Sequence, residues 1–432
     1  MRVLVTGASG FIGRAVAEAL LRAGHDVVCA SRRPAPARPG SREEPLAVDM
    51  SQVPRADWWE HRLAGVHAVV NAVGILRERG AETFKALHTE APIELFKACA
   101  AMQVLVVQVS ALGADESAVS RYHLSKNAAD DFLRELPVRS AIVQPSLVYG
   151  AGGSSAKLFN QLAAMPVLAF PHAGAMQVQP VHVQDVVAGI VALIEAPPER
   201  TATLAFVGPE ALSMRDYLAR LRKALGIGAP LRMWPLPESW FRLGARVAGV
   251  LPGSFLDSET AAMLLRGNTA PSDAFQALLR RTPLPVERFI APHEAAALRT
   301  EAKLDVWLPM LRVSIALLWI WTGIVSLGLY PVQDSLALLA RVGLHGTAAT
   351  IALYGAGVLD LALGVLTLAA PARWRGWVWG SQVVLIGGYT VLITIFLPEY
   401  WLHPYGPITK NLPVLAAIGL LWALEPDPPS RA

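Results

Sequence analysis

The sequence predicts an α/β fold, a doubly wound parallel sheet with a small substrate-covering subdomain, followed by an all-α transmembrane four-helix bundle. Three observations predict it. Short aliphatic runs alternate with helix-period segments over residues 1–195, the pattern of repeated β-α-β units. Pro-rich turns and one further helix follow over 196–300. The chain is 53% hydrophobic and 17% charged, and nearly all of the apolar surplus lies beyond Asp305, in residues 305–425. The formal charge of +4 is diffuse and forms no basic stripe with aromatic residues, which argues against nucleic acid as a partner.

The first element is the strand Val3-Leu4-Val5, followed by Thr6-Gly7-Ala8-Ser9-Gly10-Phe11-Ile12-Gly13 and a helix to about Arg22. Apolar Phe11, Ile12, Ala15, Val16, Ala19 and Leu20 keep helical spacing, and Gly24 ends the helix before the strand Val27-Val28-Cys29-Ala30. This is a Rossmann-type unit. Gly7 serves the tight turn, Gly10 the approach of a pyrophosphate, and Gly13 the packing of helix on strand, while the helix N-terminus offers free N–H groups to phosphate. The second strand ends in Ala30-Ser31-Arg32-Arg33, with no acid to hold a ribose 2′-hydroxyl and two guanidiniums suited to a 2′-phosphate. NADP(H) is the expected cofactor, with NAD(H) as the second nicotinamide nucleotide.

These residues resemble the fingerprint of the extended and atypical short-chain dehydrogenase/reductase superfamily, and further motifs follow in the family's order over roughly residues 1–290. Val48-Asp49-Met50 resembles the motif that touches adenine, and Asn71-Ala72-Val73-Gly74 the one beneath the cofactor. Gln144-Pro145-Ser146-Leu147-Val148-Tyr149-Gly150 is similar to the family's stretch beside the nicotinamide, with Gln for its Arg. The resemblance thus implies a cofactor site of Gly7, Ser9, Gly10, Phe11, Ile12, Gly13, Arg32, Arg33, Asp49, Met50, Asn71, Ala72, Val73, Gly74, Tyr122, Lys126, Pro145 and Ser146. Within the superfamily, Ser110-Ala111-Leu112-Gly113-Ala114 followed by Tyr122-x-x-Ser125-Lys126 is most similar to the branch of the nucleotide-binding accessory subunit of respiratory complex I.

Tyr122 and Lys126 have the Tyr-x-x-x-Lys spacing of the superfamily's catalytic pair. A spacing of four puts both side chains on one helix face, where the ammonium is expected to lower the tyrosine pKa so that it exchanges a proton with a carbonyl or alcohol. Ser110 is the expected third member, although the family's usual second serine is Ala111 here, and Ser120 is an alternative hydroxyl. Both turnover and cofactor binding without turnover therefore stay open. His88, His172 and His182 lack metal-ligand spacing and read as surface or structural residues, and Cys29 and Cys99 fall in predicted buried elements, so neither a metal nor a disulfide is expected.

Between the halves, a capped helix is expected from near Ser213 to Gly226, and Met233, Trp234, Pro235, Leu236, Trp240 and Phe241 then read as packing or as a membrane-facing lip. Membrane spans are expected near 311–329, 348–370, 377–397 and 408–424, the last one short. Residues 336–344 suggest an interfacial helix, and Gly355, Gly357 and Gly364 close helix contacts. Arg299, Lys303, Arg373 and Arg375 outweigh Arg341 and Lys410. That bias predicts a multi-pass inner (cytoplasmic) membrane protein with its nucleotide domain in the cytoplasm, as does an N-terminus without a signal segment. Asp360 lies mid-span, where it reads either as a proton or headgroup contact, with Lys410 or His403 beside it, or as a packing hydrogen bond. The approach Tyr405 to Pro413 and the four-helix pattern resemble DoxX-like membrane proteins.

The expected function is NADP(H)-dependent oxidation or reduction of a hydrophobic membrane-resident small molecule (a quinone, isoprenoid, sterol-like or other lipid carbonyl). The alternatives are a non-catalytic anchor or assembly factor of a membrane respiratory complex and, more remotely, a transporter built on Asp360. Expected partners are the lipid bilayer, that substrate, and either a respiratory complex or further copies of the chain.

Overall fold

The computed structural model describes residues 1–37, 40–250 and 258–425, and the chain divides into two compact units, Met1–Ala302 and Lys303–Ala432. In the first, strands β1 (Arg2–Thr6), β2 (Asp26–Ser31), β3 (Glu43–Ala47), β4 (Ala68–Asn71), β5 (Leu105–Val109), β6 (Ser140–Pro145) and, beyond four further strands, Ala202–Phe206 form one sheet. Every pairing in it is parallel, and the order places β4 and β2 on either side of β1.

Alternation along the strands explains how the sheet is covered on both faces. Val3 and Val5, Val27 and Cys29, and Val107 and Val109 point into one core, which α1 (Phe11–Arg22) closes with Val16 and Leu20. Leu4, Val28 and Val106 point into the other, beneath Leu95 and Phe96 of the helix Ala91–Ala101. Both faces are apolar, so the strands read as continuous hydrophobic runs. Because chain order reverses between β1 and β4, their carboxyl ends open a crevice, the general ligand position of such sheets.

The β1–α1 turn fixes the floor of that crevice. Gly7 has φ +67° and lies so close to β4 that a Cβ there would meet the Ala72 carbonyl oxygen at 2.9 Å; a Cβ on Gly13 would meet the Gly7 carbonyl oxygen at 2.2 Å. A third core forms around Phe159, Tyr217, Leu218 and Phe289 from the part of the chain after β6. The expected helix after Ser213 is Met214–Ala224, and the Ser213 hydroxyl caps it by accepting the Asp216 N–H at 3.0 Å.

In the second unit, three helices are long and apolar enough to cross a membrane: Ala295–Ile324 with its π-turn to Leu329, Gly346–Ala369 and Ala372–Phe396. The expected fourth span is a helix of only 13 residues, Asn411–Ala423. The short helix expected at 336–344 lies at Val332–Arg341. Ion pairs tie the ends. Glu425, just past the last helix, pairs with Arg312 of the first and with Arg375 at the start of the third, while Arg341 pairs with Glu399 beyond the third helix's far end. These pairs set an up-down-up-down order.

Close packing falls where small residues allow it, since a Cβ on Gly364 would meet the Ile320 side chain at 2.5 Å and one on Gly357 the Leu327 side chain at 2.9 Å. Gly355 instead has open space, contrary to expectation. Asp360 is buried with Oδ1 unpartnered, and neither Lys410 nor His403 pairs with it among the described residues.

Gly13→Ala is expected to lower the apparent Tm of the solubilised protein, because overpacking against backbone costs about 1–3 kcal/mol. Gly228→Ala, where nothing lies within 4 Å, is expected to leave it unchanged. Equal thermal shifts in the two variants would remove the packing argument.

Candidate functional site

Two cavities meet at the crevice. The first, of about 160 Å³, is lined by Gly7, Ser9, Gly10, Arg32, Asp49, Met50, Ala72, Val73 and Gly74 among others, and so gathers nine of the expected cofactor residues. The second, of about 250 Å³, is largely apolar and is walled by Phe11, Ile12, Ser110, Ala111, Tyr122, Pro145 and Ser146 with Leu158, Met263 and Leu264. Pro145, Ser146, Phe11 and Ile12 therefore line the apolar chamber and not the nucleotide groove. Gly13 is buried beneath the turn, and Arg33 is exposed and lines neither cavity. The groove suits a dinucleotide, since its floor is glycine backbone and α1 begins beside it with no side-chain cap on its first N–H groups.

Arg32 lines the groove but donates a short hydrogen bond to Glu82, an acid that reaches the same wall from beyond β4. No acid ends β2, yet the fold brings one to its end from 50 residues away. Any 2′-phosphate would compete with Glu82 for this guanidinium.

Tyr122 and Lys126 sit in the first two turns of the helix Arg121–Glu135, whose N-terminus Ser120 caps by accepting the His123 N–H at 3.3 Å. Ser120 is thus a structural cap, and its hydroxyl also lies 2.8 Å from His123 Nδ1. Lys126 is 3% exposed and donates to the carbonyl oxygens of Val73 at 3.1 Å, two residues past β4, and of Val109 at 3.0 Å, the last residue of β5. Burial pulls its pKa down to about 8, against the attraction of Asp130. The expectation that Lys126 lowers the tyrosine pKa is not met: burial pushes Tyr122 up to about 12, and the Asp130 carboxylate adds to the rise. Tyr122 is a neutral phenol at any ordinary pH, with its ring set edge-on to Phe84, His88 and His123.

Ser110 lines the apolar cavity, but its hydroxyl donates a short hydrogen bond to Asp130. That carboxylate ends a buried polar chain. Thr6 donates to Asn71 Oδ1 at 2.6 Å, Asn71 Nδ2 to Gln108 Oε1 at 2.7 Å, and Gln108 Nε2 to Asp130 Oδ1 at 3.4 Å. Burial raises the Asp130 pKa to about 6, against the Ser110 hydrogen bond and Lys126. Asn71 belongs to this chain and does not line the groove. Ala111 lines the same cavity.

His88, read from sequence as surface or structural, is fully buried beside the pair. Its Nε2 accepts the Ile75 N–H at 3.0 Å, so Nδ1 carries the proton and donates to the Ser125 hydroxyl at 3.0 Å. Burial, then the Lys126 charge, depresses its pKa to about 2 and keeps it neutral. Sequence reasoning also missed Asp130 and Glu82. The spacing Lys126-x-x-x-Asp130 was the available signal for the first, one helical turn on.

The comparisons with known proteins agree with this architecture. Residues 3–205 match the NAD dependent epimerase/dehydratase family, and residues 316–419 match the DoxX-like family. The chain joins an epimerase-type, NAD(P)-dependent short-chain dehydrogenase/reductase domain to a DoxX-like membrane domain. It is similar to the ceramide reductase of Caulobacter vibrioides (27% identity over 253 residues, 58% of this chain and 76% of that one). A second relative is the mitochondrial NADH dehydrogenase [ubiquinone] 1 alpha subcomplex subunit 9 of Dictyostelium discoideum, at 22% identity over 221 residues, 50% of this chain and 61% of that one. Among solved structures, a nucleoside-diphosphate-sugar epimerase from Staphylococcus aureus superposes with a TM-score of 0.55 at 17% identity, covering 67% of this chain and 99% of its own, and shows the shared fold. This protein is a membrane-linked enzyme of the NAD(P)-dependent oxidoreductase type.

Arg32→Ala is expected to weaken NADPH binding about ten- to a hundredfold while changing NADH binding little, the loss of one charge-assisted contact to phosphate. Glu82→Gln is expected to shift preference further towards NADPH by releasing the guanidinium. Titration of both nucleotides by fluorescence checks each, and an unchanged NADPH/NADH ratio in Arg32→Ala would remove Arg32 from the phosphate site.

Proposed function

We propose that this protein is a membrane-anchored, NADP(H)-dependent reductase of a long-chain lipid carbonyl of the ceramide type, with the apolar cavity as its substrate site. The carrying observation is that Tyr122 stands on the wall of a largely apolar chamber that shares the crevice with the glycine-floored groove. The name of the Caulobacter relative supports a lipid of this kind.

Gly7, Ser9, Gly10 and the start of α1 would hold the pyrophosphate, Asp49 and Met50 the adenosine end, Arg32 the 2′-phosphate, and Lys126 the nicotinamide ribose. When bound, the nicotinamide supplies the hydride that reduces the carbonyl carbon. Tyr122, neutral and with a hydroxyl that has no hydrogen-bond partner among the described residues, gives its proton to the substrate oxygen. Asp130 holds Ser110 at the chamber wall by accepting its one hydroxyl proton, so neither Ser110 nor Ala111, which stands where the family's second serine is usual, donates to the substrate oxygen. Leu158, Phe159, Met263 and Leu264 exclude water and receive the alkyl chain.

The excess of Arg299, Lys303, Arg373 and Arg375 supports placing the nucleotide domain on the cytoplasmic side of an inner membrane. Cofactor binding without turnover is the second reading, and Ala111 on the cavity wall, where the family's second serine is usual, is the observation that favours it.

Tyr122→Phe is expected to reduce turnover of a ceramide-type ketone in reconstituted vesicles by about a hundred- to ten-thousandfold with NADPH binding intact. A wild-type protein that binds NADPH yet reduces no lipid carbonyl would leave the second reading. The pH profile gives an independent check. Because Lys126 loses its proton above about pH 8, kcat/KM for NADPH, which reports the free enzyme, is expected to fall as pH rises through that value. A profile flat from about pH 7 to about pH 9.5 would show that the Lys126 charge is not required.

A further inference from the structure

The helix Glu238–Val250 presents an apolar face that none of the described residues of its own unit covers. Phe241 and Ala245 turn inward to the third core, whereas Trp240, Leu243 and Val247 are 64%, 50% and 61% exposed. Their spacing of three and then four residues puts them on one stripe of the helix. Trp234, in the strand Arg232–Leu236 just before it, is 66% exposed. Soluble surfaces scatter such groups singly, so a stripe of this kind calls for an occupant.

Charge and chain continuity identify the occupant. Arg246 and Arg242, the latter paired with Glu238 at 2.6 Å, are both exposed and form a second row beside the apolar stripe, and Arg232 is exposed near Trp234. Apolar and indole groups on one strip with guanidiniums along its border match the depth profile of a bilayer surface, with rings and alkyl groups at the acyl boundary and arginines at the phosphates. A protein partner has no such claim, whereas a membrane is always within reach, since the same chain continues into three helices long enough to span one.

The position of this helix gives it a use. It packs against the helix Ser258–Arg266, whose Thr260, Met263 and Leu264 form one wall of the apolar cavity. We infer that Glu238–Val250 is an interfacial helix that lies in the headgroup layer of the bilayer and holds this wall at the membrane surface, so that a lipid substrate passes from the bilayer into the cavity. The substrate passage rests on the proposed lipid-reductase function; the docking of the helix on lipid does not.

The experiment separates the two. Full-length protein in nanodiscs containing anionic phospholipid would carry a spin label at Leu243→Cys, at Val247→Cys, or at Glu18→Cys on the exposed face of α1; Cys29 and Cys99 are buried. Labels at 243 and 247 are expected to be relaxed by lipid-phase oxygen more than by an aqueous nickel chelate, with the reverse at 18. Aqueous behaviour at all three positions would overturn the docking, whatever the enzyme reduces. In vesicles, Leu243→Asp with Val247→Asp is expected to raise KM for an embedded ceramide-type ketone about tenfold, leaving NADPH binding and reduction of a short-chain soluble ketone unchanged. Equal loss on both ketones, or no change on either, would overturn the passage. Absence of reduction by the unsubstituted protein would sink the reductase reading alone, and the spin-label result would still decide the docking.

Discussion

The Lys126 ammonium is the joint on which the catalytic end of the sheet depends. A buried cation is costly unless its donors find acceptors. Here two of them are met by the carbonyl of Val73, just past β4, and that of Val109, which ends β5, so the helix that carries Tyr122 is pinned across the ends of neighbouring strands. The same contact explains the tight space at Gly74, where a Cβ would sit 3.3 Å from Nζ. It also adds to the burial that keeps His88 neutral beside that charge. One electrostatic demand thus sets the backbone floor and the helix position.

Below it, the chain Thr6–Asn71–Gln108–Asp130–Ser110 threads three strands and one helix with side-chain hydrogen bonds. Such a network is stable only when every member is satisfied, and it leaves the ends of β1, β4 and β5 little freedom to shift in register. Binding and proton transfer then share one scaffold, because the strands that shape the nucleotide groove also hold Ser110 and Lys126.

The nucleotide half was legible in the sequence because its signals are local. Glycines at a strand-to-helix turn, alternating apolar strands and a Tyr-x-x-x-Lys spacing each lie within a few residues, and the glycine turn lines one cavity at the crevice and Tyr122 the other. Contacts made across the fold were not legible. Glu82 reaches Arg32 over a long stretch of chain, and the burial of His88 follows from packing that periodicity does not encode. The rise of the Tyr122 pKa was missed for the same reason, since the spacing gives the distance to Lys126 but not where the ammonium points. In the membrane half, hydropathy found the three long helices, and the ion pairs of Glu425 and Arg341 that order them lie far apart in sequence.

The shortness of the last membrane helix has a consequence for the lipid around it. Its 13 residues rise only about 20 Å, against about 30 Å of hydrocarbon in an ordinary bilayer. Since Glu425 ties its end to Arg312 and Arg375, the deficit falls at the opposite end, where Leu402 and Tyr405 are 90% and 77% exposed. The other three helices are long enough for an ordinary bilayer, so the shortfall is local, and on that flank the non-helical approach to Asn411 must be shielded by its neighbours or met by a dip of the leaflet.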